Sequence, residues 1–156
     1  MMWADALRWL HVIGAAVLLG TGAGIAFFML MAHRTRDPTI IKHVASTVVV
    51  ADTIFTATAV VIQPITGMLL ARVVGWRLTE HWILASLALY VVTGVCWLPV
   101  VWIQLRLRNC AQSAAAADRP LPHEYYRLFR LWLFLGFPAF ASVLAIFWLM
   151  ITRPAF

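Results

Sequence analysis

Charge is what this sequence has least of. Only 12% of its 156 residues are Asp, Glu, Lys or Arg, against roughly 25% in an ordinary soluble domain, so a water-facing surface of normal size has nothing to cover it. Cysteine is nearly missing too. Cys96 and Cys110 are too few for a disulfide framework, and helical rise sets them roughly 20 Å apart if one helix joins them. Both read as free thiols. No glycine-rich phosphate loop, no histidine pair on one helix, no zinc or iron–sulfur spacing and no internal repeat occurs, which excludes the common soluble-enzyme motifs.

What is present is apolar: 63% of residues are hydrophobic and the mean hydropathy is +0.89. Four runs carry most of it, Trp9 to Ala32, Ala45 to Ala71, Trp82 to Leu105 and Leu131 to Thr152, and about 20 apolar residues suffice for a helix to cross the hydrocarbon. The pattern predicts an all-α integral membrane four-helix bundle in one domain, residues 1–156, with helices at about 7–32, 45–72, 81–108 and 128–152. Connections of about 12, 10 and 25 residues hold no further domain and predict up-down-up-down packing. In the third, the Ala114 to Ala117 run prolongs its helix, Pro120 and Pro122 stop it, and His123 to Arg130 leads into the fourth. The apolar N-terminal run exceeds a cleavable signal core and follows no strong basic stretch, so helix one is expected to stay attached.

The net charge of +6 resides in the connections, where it sets orientation and argues against nucleic acid as a partner. Arg34, Arg36, Lys42, Arg106, Arg108, Arg119, Arg127 and Arg130 make eight on one side, against Arg8, Arg72, Arg77 and Arg153 on the other. The positive-inside rule then gives a bacterial cytoplasmic (inner) membrane with both termini periplasmic. Trp3, Trp9, Trp76 and Trp82 fall at the outer boundary and Trp102 and Trp132 at the inner one, where indoles prefer to lie. Trp97 is too deep for that explanation.

Two ionisable side chains interrupt the spans, His11 and Asp52, and such a group at membrane depth is a functional hypothesis because lipid makes it expensive. On helix one Ala16, Gly20 and Gly24 form a small-residue ridge expected to face a neighbouring helix or a second copy of the chain. At 100° per residue His11 points about 180° away from Gly20, with Gly14, Ala15, Leu18 and Gly22 on its own stripe. That stripe suits either a packed helix or a flat ligand. Asp52, Thr56, Gln63 and Thr66 share one face of helix two, and Ser86, Tyr90, Thr93, Trp97 and Gln104 make a parallel polar stripe on helix three. Pro64 removes an N–H and frees a carbonyl near Val60, and with Pro99 and Pro138 it gives three helices a kink that lets them diverge around a cavity.

His11 and His81 belong to the same side of the membrane, and two imidazoles across a bundle are a common way to hold haem iron. Arg72 and Arg77 are placed to pair with propionates. His81, at the interface beside Glu80, also reads as a simply solvated histidine. His33, His43 and His123 read as solvated loop residues. Copper handling would want a Met or His cluster, and Met29 and Met31 stand on different faces.

Leu10-His11, Ala51-Asp52, Gln63-Pro64-Ile65-Thr66-Gly67, Cys96-Trp97-Leu98-Pro99, Tyr126-Arg127-Leu128-Phe129-Arg130-Leu131-Trp132 and Phe137-Pro138 together resemble the bacterial integral membrane proteins grouped as domain of unknown function 2269. The likeness covers nearly the whole chain. More distantly the layout is similar to HemJ-type protoporphyrinogen oxidases and CopD-like membrane domains, which have a histidine early in helix one. That resemblance implies haem b with His11 as axial ligand. It does not extend to the oxidase chemistry, because Trp82 is followed by Leu84 and Ser86 where that family has histidine and lysine. The expectation is a membrane protein that binds haem b through His11, Gly14, Gly22, Arg72 and His81, and transfers electrons to another membrane protein or redox partner. The alternatives are a cofactor-free accessory subunit of a larger membrane complex, and a metal or small-solute conduit through Asp52, Gln63 and Thr66.

Overall fold

Backbone polar groups with no water to bond have the helix as their internal solution. The computed structural model describes residues 2–154, and these are helical apart from three short connections and residues 153–154; the ends of the expected domain, Met1 and Phe156, lie outside the described residues. In chain order the elements are α1 (Met2–Thr35), α2 (Pro38–Ala51), a π-helical turn (Asp52–Thr56) running on into α3 (Ala57–Val74), α4 (His81–Ala116) and α5 (His123–Thr152). α2, the π turn and α3 form one continuous span. Four helices are thus long and apolar enough to cross a membrane.

The helices outrun the apolar runs that announced them. The second span starts at Pro38 rather than near residue 45 because Asp37 caps it: its carboxylate accepts from Thr39 N at 2.7 Å and Ile40 N at 3.4 Å, with Pro38 at the first helical position. An Asp-Pro pair suits that role, since the proline lacks an N–H that would otherwise need a partner. α3 ends at Gly75, whose φ of +85° lets the N–H of Trp76 turn back to Ala71 O at 2.9 Å.

Packing divides the bundle into a closed half and an open half. Near the 36–37 and 117–122 connections Met29 and Ala32 of α1, Ile41 and Ala45 of α2, Ile103 and Leu107 of α4, and Tyr125 and Phe129 of α5 form one buried core. His33 belongs to it. Contrary to the solvated reading, its ring stacks on Phe129 at 3.7 Å between centroids and it shares a 3.3 Å hydrogen bond with the Tyr125 hydroxyl. His43 and His123 are exposed. Towards the 75–80 connection α1 stays with α3, and α4 stays with α5, and the two pairs part.

Two of the tryptophans assigned to a membrane boundary are covered by protein. Trp82 is buried, donates its indole N–H to Glu80 Oε2 at 2.6 Å and meets Trp76 edge-on at 5.3 Å. Trp132 is buried against Phe129. The small-residue ridge meets no helix of its own chain: Ala16 and Gly20 are exposed, and a Cβ built on Gly20 or Gly24 meets nothing within 4 Å. Side chains close on glycine instead at Gly14 and Gly67, where α1 meets α3.

Candidate functional site

The parting of the helix pairs leaves a cavity of about 540 Å³, a size typical of small-molecule sites. α1 contributes His11, Ala15, Leu18 and Gly22. The second span contributes Asp52, Thr56, Val60 and Gln63, and α4 adds Tyr90, Thr93, Gly94, Trp97 and Gln104. α5 closes the side from Trp132 to Ile151. The most exposed lining residues are on α1 and α5, with Val12 57%, Phe137 70% and Ile151 76% exposed, so the mouth is a slot between those helices with an apolar rim.

Polar groups converge on this space. The polar stripe of the second span, Asp52, Thr56, Gln63 and Thr66, is buried along its whole length, each residue 8% exposed or less. Asp52 opens the π turn, a local widening of the helix that is common where it presents a functional group. Trp97 Nε1 donates to Asp52 Oδ1 at 3.3 Å, which accounts for the tryptophan too deep for the interface. The Thr56 hydroxyl adjoins the same carboxyl group. One α-helical turn past Val60, Pro64 has removed the N–H that Val60 O would have accepted from, and the Tyr90 hydroxyl donates to that carbonyl instead. Tyr90→Phe keeps the ring and orphans the carbonyl. The expected loss is roughly 0.6–1.7 kcal/mol, read from unfolding of the variant in mixed micelles.

His11 is tied to α3. The Thr66 hydroxyl shares a 2.9 Å hydrogen bond with His11 Nδ1 and has the backbone carbonyls of Ile62 and Gln63 within 3.0 and 3.1 Å. When its one proton goes to a carbonyl, His11 donates from Nδ1–H, the tautomer that leaves the lone pair on Nε2. The ring rests on Gly67, where an added Cβ would stand 3.0 Å from His11 Cε1. Gly14 is occupied similarly: a Cβ there would be 2.5 Å from Gln63 Oε1, so its shaved face receives the glutamine rather than a ligand.

Of the residues expected to hold haem, His11 and Gly22 line the cavity. Gly14 lies under Gln63, Arg72 is exposed, and His81 is exposed in the first turn of α4. The cavity lining holds no Lys or Arg to meet propionates. The residues therefore fit a haem at one point, a single oriented imidazole, and leave its second ligand and its carboxylates without partners. Among the described residues no three His, Cys, Asp or Glu side chains gather as a metal site.

Among the described residues, five buried side-chain polar atoms have no well-formed hydrogen bond: Asp52 Oδ2, Thr56 Oγ1, Gln63 Oε1, Gln104 Oε1 and Trp132 Nε1. Every one belongs to a residue lining this cavity. Buried polar atoms are normally satisfied because leaving one bare costs about 1–3 kcal/mol; here Gln63 Oε1 lies against Gly14 and the Thr56 hydroxyl against the Asp52 carboxyl group. Sequence spacing had singled out Asp52, Thr56, Gln63 and Gln104; Trp132 was missed because its position favoured the interface. The rest of the α5 wall was missed because an apolar helix face gives no sign of whether it meets lipid, protein or a void.

A family model described as a predicted integral membrane protein, DUF2269, matches residues 5–154. No curated protein and no solved structure matches.

Proposed function

The chain belongs to the DUF2269 family of predicted integral membrane proteins, and on that premise we propose that it is a receptor within the bilayer for a lipid-soluble small molecule, which enters sideways between α1 and α5. The observation that carries this reading is the set of five orphaned polar atoms, all on residues lining one cavity whose rim is apolar. Lipid supplies no hydrogen bonds, so such atoms await a ligand that does. The reading sets the protein in a bacterial inner membrane with both termini periplasmic, supported by the eight-to-four division of its basic residues. The test is native mass spectrometry of the protein released from nanodiscs prepared from its own membranes. A stoichiometric small-molecule adduct is expected, and a protein of bare mass under conditions that retain bound lipid on other membrane proteins overturns the reading.

The bond between His11 and Thr66 favours a second reading, in which the cavity ligand is haem b and the protein passes electrons between membrane partners. His11 Nε2 would hold the iron, which supplies one-electron chemistry, while Thr66 keeps the imidazole oriented as carbonyls and carboxylates do for other ligating histidines. Purified protein is then expected to show a Soret band that shifts on reduction. His11→Ala removes it, and Thr66→Val weakens haem retention by roughly 10-fold or more. A colourless preparation with no extractable haem ends this reading and leaves the first standing.

A further inference from the structure

The orphaned atoms also carry information about what the ligand must look like. Three are acceptor oxygens, Asp52 Oδ2, Gln63 Oε1 and Gln104 Oε1; one is a hydroxyl; Trp132 Nε1 is the lone obligate donor. An amide can exchange its oxygen and nitrogen ends, but a carboxylate cannot, and Asp52 is the most constrained of the set. It is 4% exposed, near the middle of the Pro38–Val74 span, with one oxygen engaged by Trp97 and the Thr56 hydroxyl set against the same carboxyl group, too poorly aligned to complete Oδ2. Below it, Gln104 and Trp132 continue the polar wall towards the closed core. Across the cavity the α5 wall is apolar from Leu133 to Ile151, and it reaches the rim at Phe137 and Ile151.

From this arrangement, and resting on the receptor reading, we propose that Asp52 with Thr56 is the head-group site of the cavity, selecting lipid-soluble molecules whose polar end bears hydrogen-bond donors, a hydroxyl or an amine. The apolar body of such a molecule lies along α5 and leaves through the slot beside α1. Molecules whose polar end only accepts, such as esters and ethers, meet acceptor facing acceptor at Asp52 and are refused. A bare oxygen that a donor completes is worth far more to selectivity than any apolar contact, because the rejected analogue leaves the carboxylate unpaired in a medium without water.

Three probes with one chain length separate the chemistry: dodecanol, dodecylamine and methyl dodecanoate, each titrated into the full-length protein in nanodiscs and counted as one-to-one adducts by native mass spectrometry. Dodecanol and dodecylamine are expected to bind roughly tenfold or more tighter than the ester. Asp52→Leu is expected to bring all three to parity. Asp52→Asn keeps an acceptor but not the charge, so it is expected to retain dodecanol over the ester and to weaken dodecylamine. Should Asp52→Leu fail to accumulate in the membrane, Thr56→Val carries the test, and its ratio of alcohol to ester is expected to fall. Equal binding of alcohol and ester by the wild type, or a preference unchanged in Asp52→Leu or in the Thr56→Val that replaces it, overturns the head-group assignment while the cavity remains a receptor. Absence of all three adducts, with the cavity holding only water, overturns both.

Discussion

Gly94→Leu is expected to empty the cavity of its ligand without weakening the protein. Gly94 lies on the α4 wall, and a Cβ built on it meets nothing within 4 Å, so the leucine side chain grows into unfilled space. Removing a glycine from a helix interior favours the helix by about 0.5–1 kcal/mol, and no neighbour has to move. Gly22 on α1 has the same open surroundings from the opposite wall, and Gly22→Leu is expected to behave alike. Gly67→Leu is the contrasting case: it faces the His11 ring at 3.0 Å, must push α1 from α3, and is expected to melt lower. Thermal melts and adduct counts on the three variants in nanodiscs check the pattern. A Gly94→Leu protein that keeps its adduct would show that the ligand lies elsewhere.

Tyr125→Ala is expected to be the most damaging single truncation, at about 3–5 kcal/mol, the range for emptying a buried aromatic position. Tyr125 is fully buried, heads the largest side chains in the core, stacks with His33 and Phe129, and shares its hydroxyl with His33. The closed half of the bundle is assembled round it, linking the start of α5 to the ends of α1 and α4. Tyr125→Phe removes the hydrogen bond alone and is expected to cost about 1 kcal/mol. Phe134 and Phe137 are 73% and 70% exposed on the same helix; facing lipid, which is as apolar as the side chain, either is expected to tolerate alanine with little loss. Unfolding in mixed micelles, with helicity as the readout, gives all four values on one scale.

The spans and their order were legible in the sequence because a 20-residue apolar run has few alternatives. The stripe Asp52, Thr56, Gln63, Thr66 was legible for a related reason: helical periodicity puts those four on one face, and lipid makes an outward-facing carboxylate costly. Pro64 gave away the free carbonyl of Val60, though not that Tyr90 would take it. Other features depend on which helices are neighbours, and spacing along one helix does not contain that. His33 counts as a loop residue until α1 is seen to run on to Thr35 and lay the ring on Phe129. Gly20 and Gly24 have the spacing of a packing ridge, yet α3 approaches the other face of α1, at Gly14 and Gly67. His81 shares a membrane side with His11, but facing the same water does not bring two side chains to the same cavity.

The most direct measurement is a density map of the protein in a lipid bilayer, resolved well enough to show side chains. The account expects continuous density, not belonging to the chain, running from the Asp52 carboxyl group along α5 to the slot beside α1. A map in which α1 and α5 close against each other, burying Asp52 among protein atoms or water alone, would contradict it.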